Sequence, residues 1–164
     1  MKIFSLFTEY ECNEIITLLN NNFEWEYCTD ESGKSYYKII VDSDFKYYNK
    51  VKDFADTIMD TPSNGVLHFL RYEKGDGFPE HIDVSNKSEF HYDGKYNINA
   101  ILNSNYIGGK FKLNGKELKT EIGDAYIYES TTPHEVTKVT DGIRYVMMYY
   151  IRARDIQGFE KNLV

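Results

Sequence analysis

From residue 65 onward, the sequence is divided into short runs of strand length that alternate with turn residues. Asn114-Gly115 lies between two of these runs and is the dipeptide most typical of a tight β-hairpin. Gly108-Gly109 and Gly123-Asp124 mark two further turns. Many short antiparallel strands at this spacing are typical of a sandwich or a barrel. The runs are Val66–Tyr72, Tyr96–Leu102, Lys110–Leu113, Lys116–Thr120, Asp124–Tyr128, Glu135–Val139 and Arg144–Ile151.

The first 64 residues have a different pattern, which predicts two helices among a few strands. Thr8-Glu9-Tyr10-Glu11 matches the capping box and predicts a helix from Glu9 to Asn21. A second helix is predicted from Phe45 to Met59, because its apolar residues recur on one face. Pro62 and Gly65 mark its end. Three further apolar runs predict strands at Lys2–Phe7, Phe23–Cys28 and Tyr36–Val41.

Composition excludes several classes of protein. No apolar run approaches the roughly 20 residues that a membrane-spanning helix needs, and residues 1–7 lack the apolar stretch of a signal peptide. The formal net charge is −7, and no basic tract is present that would follow a phosphate backbone, so nucleic acid is not expected as the main partner. Cys12 and Cys28 are too few for a disulfide framework, which predicts a reducing, cytoplasmic setting.

His81 and Asp83 follow the glycine-rich segment Tyr72–Gly77, which we expect to form a loop after a buried strand. Side chains two residues apart on an extended segment point the same way, so the imidazole and the carboxylate could face one point. Taken alone, a His-x-Asp sequence favours ordinary loop residues.

His134 comes after Thr131-Thr132-Pro133 and opens another predicted strand. Two histidines and one carboxylate at the mouth of a barrel would form the facial triad that holds non-haem Fe(II). Taken alone, the position of His134 would favour the interpretation that it is a surface histidine after a proline turn.

Arg144 begins a strand that is apolar on both faces. A guanidinium in such a place is costly unless it meets an anion, and a carboxylate could bind it through two hydrogen bonds. The alternative is that Arg144 extends to solvent or pairs with Asp141.

In this order, the motifs resemble those of the 2-oxoglutarate- and Fe(II)-dependent dioxygenases, and most closely the prolyl 4-hydroxylase-like branch. The resemblance covers residues 66–151 and implies a double-stranded β-helix (a jelly roll, or cupin-like) core preceded by two N-terminal helices. It predicts one domain over residues 1–164, with residues 1–64 as support and 65–152 as the catalytic jelly roll. The motifs are Tyr72…Gly75…His81-Ile82-Asp83, Gly108-Gly109-Lys110-Phe111, Gly123-Asp124-Ala125, Pro133-His134-Glu135-Val136 and Gly142-Ile143-Arg144-Tyr145.

Carried over by position, the resemblance implies that His81, Asp83 and His134 are the iron ligands. Arg144 would bind the distal carboxylate of 2-oxoglutarate, and Tyr72 would donate a hydrogen bond to the same group. The implied cofactors are Fe(II), 2-oxoglutarate as cosubstrate and O2, with ascorbate as a candidate reductant. Phe78, Tyr126, Tyr128 and Met148, with Asn99 and Ile101, would line the cavity, whereas His68 and His91 match no motif and are expected to be structural or surface residues.

The implied reaction is hydroxylation of a C–H bond, with succinate and carbon dioxide as co-products. The resemblance favours a prolyl residue in a protein or peptide. Another protein side chain, a small molecule, or a non-catalytic metal- or ligand-binding role are the alternatives. Ser85–Gly94 is polar and follows Asp83, which predicts a loop that closes over bound substrate.

Overall fold

The structure is a computed structural model that describes residues 2–59, 63, 65–83 and 94–152, with the backbone alone for residues 94, 95 and 152. The helices are α1 (Glu9–Asn22) and α2 (Tyr48–Met59). The strands are β1 (Ile3–Ser5), β2 (Glu26–Thr29), β3 (Ser35–Val41), β4 (Gly65–Tyr72), β5 (Phe78–His81), β6 (Gly94–Ile101), β7 (Tyr106–Gly108), β8 (Phe111–Leu113), β9 (Lys116–Glu117), β10 (Asp124–Glu129), β11 (His134–Val136), β12 (Val139–Gly142) and β13 (Arg144–Arg152).

Seven antiparallel strands form the larger sheet, in the order β1-β10-β6-β13-β4-β3-β2. Successive side chains of a strand point to opposite faces, so each central strand supplies two layers. On β4, Leu67 and Phe69 belong to the core on the helix side, whereas Leu70 and Tyr72 belong to a second core on the other side. The sheet is therefore buried on both faces in its central part.

Both helices pack on one face of the larger sheet. Helix α1 begins with the predicted capping box: the Glu11 amide donates to Thr8 Oγ1 at 3.2 Å, and the Thr8 amide donates to Glu11 Oε2 at 2.9 Å. The apolar side chains of the helices repeat every three or four residues, which places them on one face. Those that are buried are Cys12, Ile15 and Leu19 of α1 and Val51, Ala55 and Met59 of α2.

Four shorter strands form a second sheet, in the order β5-β11-β8-β9, and β12 pairs with β7 separately. Phe111 and Val136 of the smaller sheet pack with side chains from the larger one, so the two sheets face each other. The predicted mainly β class with two helices is confirmed. In the part of the chain that the structure describes, no helix is long and apolar enough to cross a membrane.

The predicted elements differ from the structure in several places. Helix α2 begins at Tyr48, not Phe45, because residues 42–47 form turns, with the Phe45 amide donating to the Asp42 carbonyl at 3.1 Å. Strand β5 follows the predicted loop Tyr72–Gly77 and was not predicted. The predicted strand Glu135–Val139 is two strands, β11 and β12, and β7 was not predicted.

Two further predictions concern parts of the chain that these observations do not reach. Residues 85–93 of the proposed closing loop, including His91, lie outside the described residues, and Gly94 begins β6. The single domain over residues 1–164 stays a prediction.

Candidate active site

His81 and His134 lie side by side at the ends of two paired strands. Strands β5 and β11 are antiparallel neighbours, and His134 is the direct partner of His81. Asp83 follows two residues later and lies between the two rings, with His81 Nε2 3.2 Å from its Oδ1 and His134 Nε2 3.3 Å from its Oδ2. One ligand atom from each residue lies within 4.8 Å of the others. The three side chains singled out in the sequence therefore converge.

Both imidazoles are oriented by backbone carbonyls. His81 Nδ1 is 2.8 Å from the Pro79 carbonyl oxygen, and His134 Nδ1 is 2.8 Å from that of Thr132. A carbonyl only accepts, so each Nδ1 carries a proton and each Nε2 faces Asp83. Carbonyl contacts of this kind fix the tautomer of metal-binding histidines.

The charges at this point require a cation. Burial raises the pKa of Asp83, but contacts with His134 and His81 outweigh burial and hold the pKa at about 2, so the carboxylate is ionised. His134 Nε2 is buried and, apart from its contact with Asp83, has no polar partner among the described residues. Two nitrogen lone pairs facing a carboxylate repel it unless a proton or a metal ion lies between them.

The donor set fits a ferrous ion. Two imidazole nitrogens and one carboxylate are the facial set of non-haem Fe(II) oxygenases. Neighbouring ligands of an octahedral ion with bonds of about 2.1 Å are about 3.0 Å apart. The Nε2–Oδ distances of 3.2 and 3.3 Å are close to that spacing.

Asn97 holds the carboxylate of Asp83 from behind. Its side chain on β6 is fully buried, and Nδ2 donates a hydrogen bond to Asp83 Oδ2. Ser130 Oγ lies 3.5 Å from Asn97 Oδ1, and the Asp83 amide donates to the Ser130 carbonyl at 2.9 Å. The sequence analysis missed this residue, although polar residues at positions 97 and 99 of an apolar strand share one face.

Arg144 is buried and has no anionic partner in the part of the chain that the structure describes. Its side chain is 1% exposed, and Nε and Nη1 have no hydrogen-bond partner among the described residues. Among the described residues it forms no ion pair within 4.0 Å, and the suggested partner Asp141 is exposed. The guanidinium carbon lies 5.2 Å from the centre of the Tyr72 ring, directly across the strand pair β13–β4. A buried guanidinium left in this way fits a carboxylate ligand.

Tyr126 lies near Arg144, and its hydroxyl has no hydrogen-bond partner among the described residues. It is buried, and burial raises the pKa of Tyr126 to about 12, although the charge of Arg144 acts in the opposite direction. Burial likewise raises the pKa of Tyr72, so both phenols are protonated donors. The sequence analysis placed Tyr126 in the cavity without a role, so it is a second candidate donor beside Tyr72.

A cavity of about 270 Å³ connects the triad to Arg144. Phe78, Tyr128, Met148 and Asn99 line it as expected. Phe78 also stacks on His81, with ring centres 3.7 Å apart.

Three residues differ from the sequence prediction. His68 lines this cavity and is not merely structural, since its side chain alternates with Leu67 and Phe69 and so points away from the helices. Tyr126 and Ile101 line a second cavity of about 490 Å³, and Arg144 lines both cavities.

The sequence profile of the 2OG-Fe(II) oxygenase superfamily matches residues 67–152, more than half of the chain. The chain belongs to this superfamily. The matched segment begins on β4 and ends on β13, and it contains all five residues that the resemblance assigned to the site. Iron, 2-oxoglutarate and O2 are the cofactor and cosubstrates that membership of the superfamily implies.

Curated relatives of this oxygenase are PKHD-type hydroxylases. One from Colwellia psychrerythraea is 32% identical over 97 residues, which cover 55% of this chain and 44% of that protein. One from Psychrobacter sp. is 30% identical over 97 residues, covering 52% and 37%. The chain thus spans less than half the length of the relatives it matches.

Solved structures share the fold at low sequence identity. A Pseudomonas putida prolyl-4-hydroxylase has a TM-score of 0.75 at 16% identity and covers 92% of this chain and 91% of that one. A viral collagen prolyl hydroxylase from Paramecium Bursaria Chlorella virus-1, solved as a 2OG complex, has a TM-score of 0.71 at 12% identity and covers 93% and 95%. The jelly-roll fold is confirmed, and prolyl hydroxylases are among the solved structures that share it.

Proposed function

We propose that this chain is an Fe(II)- and 2-oxoglutarate-dependent hydroxylase that acts on a prolyl residue in a protein or peptide. The observation that carries the proposal is the pairing of an unneutralised buried guanidinium, Arg144, with a two-histidine, one-carboxylate cluster in the same cavity. The cluster alone would explain binding of iron, and the guanidinium of Arg144 would explain binding of 2-oxoglutarate.

Each residue has one task in this proposal. His81, Asp83 and His134 would hold the iron, with their orientation set by the carbonyls of Pro79 and Thr132. Arg144 would bind the distal carboxylate of 2-oxoglutarate, with Tyr72 or Tyr126 donating a hydrogen bond to the same group. Fixing the cosubstrate at both ends removes the entropy cost of orienting it.

The bound iron would supply oxygen activation, coupling the conversion of 2-oxoglutarate and O2 to succinate and CO2 with insertion of the second oxygen atom into a substrate C–H bond. The protein would keep water from this reaction. Phe78, Tyr128 and Met148 are apolar walls of the cavity, and a dry cavity protects a reactive centre. Ascorbate would serve as the external reductant.

The choice of a prolyl substrate is supported by the neighbours. Two of the similar structures are prolyl hydroxylases, and a third, from Trichoplax adhaerens, is a prolyl hydroxylase in complex with a peptide fragment of hypoxia inducible factor; its TM-score is 0.70 at 16% identity, covering 93% of this chain and 83% of that one. Another protein side chain or a small molecule is the alternative substrate.

The test is succinate formation from 2-oxoglutarate by the purified chain with Fe(II), with and without proline-containing peptides. We expect succinate above a metal-free control, and hydroxyproline by mass spectrometry with at least one peptide. His134→Ala should lose both iron and succinate formation, whereas the neighbouring Glu135→Gln should keep both, because Glu135 pairs with Lys112 at 2.8 Å and is not one of the triad. Retained iron without succinate would instead support a binding protein.

A further inference from the structure

The entrance of the cavity differs in charge from the rest of the chain. The whole chain has 26 acidic and 19 basic residues. Among the described residues that line the cavity, however, the only carboxylate is Asp83, while three cations line it: Arg144, Lys34 and Lys38. Arg144 faces the cosubstrate position and Asp83 the metal position, which leaves the two lysines without a task in the proposed reaction.

Lys34, Tyr36, Lys38 and His68 form one partly exposed side of the lining, and we call these four residues the entrance strip. All four are partly exposed, whereas His134, Tyr72 and Arg144 deeper in the cavity are buried. Tyr36 and Lys38 alternate along β3 and share the face that looks toward the triad. The next residue on that face, Ile40, is 53% exposed and pairs with His68, so the surface continues outward from the cavity.

The two lysines have different neighbours. Lys34 lies 3.3 Å from Asp30, whose side chain is exposed, and its ammonium lies over the Phe78 ring at 5.4 Å from the ring centre. Lys38 forms no ion pair within 4.0 Å with any described residue, although Glu26 lies across from it on β2. Lys38 is thus a cation available for an external partner, and Lys34 is one whose partner can be exchanged.

The size of the cavity places most of the substrate outside it. Pockets that enclose small molecules are typically about 300–1,000 Å³. The cavity here is about 270 Å³ and would also contain the cosubstrate. A single side chain could enter, while the chain that carries it would lie along the entrance strip. This geometry suits a peptide better than an enclosed small molecule.

We propose that the entrance strip selects acidic peptides, with Lys34 and Lys38 binding carboxylates next to the residue that is hydroxylated. The inference rests on the proposed function for the position of the reacting side chain, but peptide binding itself does not require turnover. Two cations on a chain of net charge −7 favour an acidic peptide over a nucleic acid, whose backbone needs a longer basic surface.

The test is a binding titration with three peptides that differ only in the residues beside the proline. The full chain, loaded with Mn(II) and 2-oxoglutarate without oxygen, is titrated with Ala-Glu-Pro-Glu-Ala, and with the same peptide carrying Gln or Lys in place of Glu. We expect the Glu peptide to bind at least about threefold more tightly than the Gln peptide at low ionic strength, with the preference shrinking as salt is added.

Charge reversal identifies the residues responsible. Lys38→Glu should invert the ratio of affinities between the Glu and Lys peptides, and Lys34→Glu should shift it in the same direction, because an anion replaces a cation and Asp30 loses its partner. Lys116→Glu is the matched control: Lys116 is exposed on β9 and lines neither cavity, so this variant should keep the wild-type ratio.

Three results would overturn the inference: equal affinity for the Glu and Gln peptides, an unchanged ratio in Lys38→Glu, or tighter binding of a ten-nucleotide single strand than of the acidic peptide. Failure of the proposed function would be seen separately, as absence of succinate from wild-type protein with Fe(II) and 2-oxoglutarate. A peptide preference without turnover would leave the selection of acidic peptides standing.

Discussion

The buried guanidinium of Arg144 is the proposed binding group for the distal carboxylate of 2-oxoglutarate. We expect Arg144→Ala to weaken 2-oxoglutarate binding by a factor of about 30 or more, since removing one partner of a buried charge pair costs about 2–5 kcal/mol. Arg144→Lys should weaken it less, because the charge remains but the two-pronged geometry is lost. Calorimetric titration of 2-oxoglutarate into Mn(II)-loaded protein measures both. Wild-type affinity in Arg144→Ala would remove the residue from the cosubstrate site.

Tyr72 and Tyr126 are competing hydrogen-bond donors to the same carboxylate. The resemblance assigns Tyr72, whereas the buried hydroxyl without a partner is that of Tyr126. We expect Tyr126→Phe to weaken 2-oxoglutarate binding by about tenfold, the usual value of one hydrogen bond to a charged group. Tyr72→Phe is the comparison, in the same titration. A larger effect at Tyr72 would restore the assignment made by resemblance.

Asn97 is expected to position a metal ligand without touching the metal. Asn97→Ala removes the hydrogen bond to Asp83, and losses of this kind lower metal affinity by about 10–100-fold. Asn99→Ala is the matched control, since Asn99 is buried on the same face of β6 but its amide donates to Tyr128 at 3.3 Å. Competition with a metal indicator measures both variants. Equal losses would mean that the effect comes from damage to the strand and not from Asp83.

The triad and Arg144 can be predicted from the sequence because each lies in a short local motif, and these motifs follow one another in the order of the family. It does not identify the roles of Asn97, His68 and Tyr126, because these depend on which strands are neighbours. Asn97 reaches Asp83 only through the arrangement of β6, β10 and β5, and that arrangement is not written in any local stretch. Alternation along a strand shows which residues share a face, but it does not show which residues of other strands they contact.

At the scale of single elements, turn geometry is demanding where Gly123 precedes β10. Its φ is +84°, and a Cβ there would lie 1.9 Å from the Phe7 carbonyl oxygen. Gly123→Ala should therefore lower the free energy of unfolding by about 2–4 kcal/mol, from backbone strain together with a clash.

Gly115 offers the matched control for that substitution. Its φ is +74°, but no atom lies within 4 Å of the position of a Cβ. Gly115→Ala should cost only about 1 kcal/mol, because strain acts without a clash. Urea unfolding of both variants gives the difference, and equal destabilisation would show that the contact with Phe7 relaxes at no cost.

Elements were predicted well where length and alternation agree, as in α1, β4 and β13. Strand β5 was missed because Gly75, Gly77 and Pro79 are signals for a loop. Proline is nevertheless tolerated in an edge strand, where its missing amide hydrogen faces outward, and β5 is at the edge of the smaller sheet. Strands β7 and β12 are three and four residues long, too short to show a period.

At the scale of the whole molecule, His68 links stability to pH. Burial, and secondarily the charge of Lys38, lowers the pKa of His68 from 6.5 to about 4, and the Tyr150 ring packs against it at 4.8 Å. The unfolded chain therefore takes up this proton first as pH falls. The contribution of His68 is complete above pH 6.5 and is lost toward pH 4, by up to about 3 kcal/mol.

The measurement is the free energy of unfolding between pH 7 and pH 4 for wild type and His68→Gln. All other titratable groups are present in both proteins, so the difference between the curves isolates His68. We expect the wild-type curve to fall more steeply below pH 6.5. Parallel curves would mean that His68 is hydrated in the folded state.

The two sheets are unequal, seven strands against four, and this inequality explains where the molecule is closed and where it is open. The helices cover one face of the larger sheet, and the smaller sheet covers part of the other. Side chains of β3 and β4 beyond the smaller sheet stay partly exposed. Of the three proposed metal ligands, His81 and Asp83 are partly exposed and His134 is buried, so in the proposed function the substrate would approach from the side of His81 and Asp83.

The position of β13 between β6 and β4 has a consequence for synthesis of the protein. Its residues, Arg144–Arg152, are made last among the strands of the larger sheet, yet they join its two halves. Until they leave the ribosome, β4 and β6 each present an unpaired edge, which is open to wrong pairing. The nascent chain therefore acquires its central strand and Arg144 together, so the proposed binding site for 2-oxoglutarate cannot form before the larger sheet is complete.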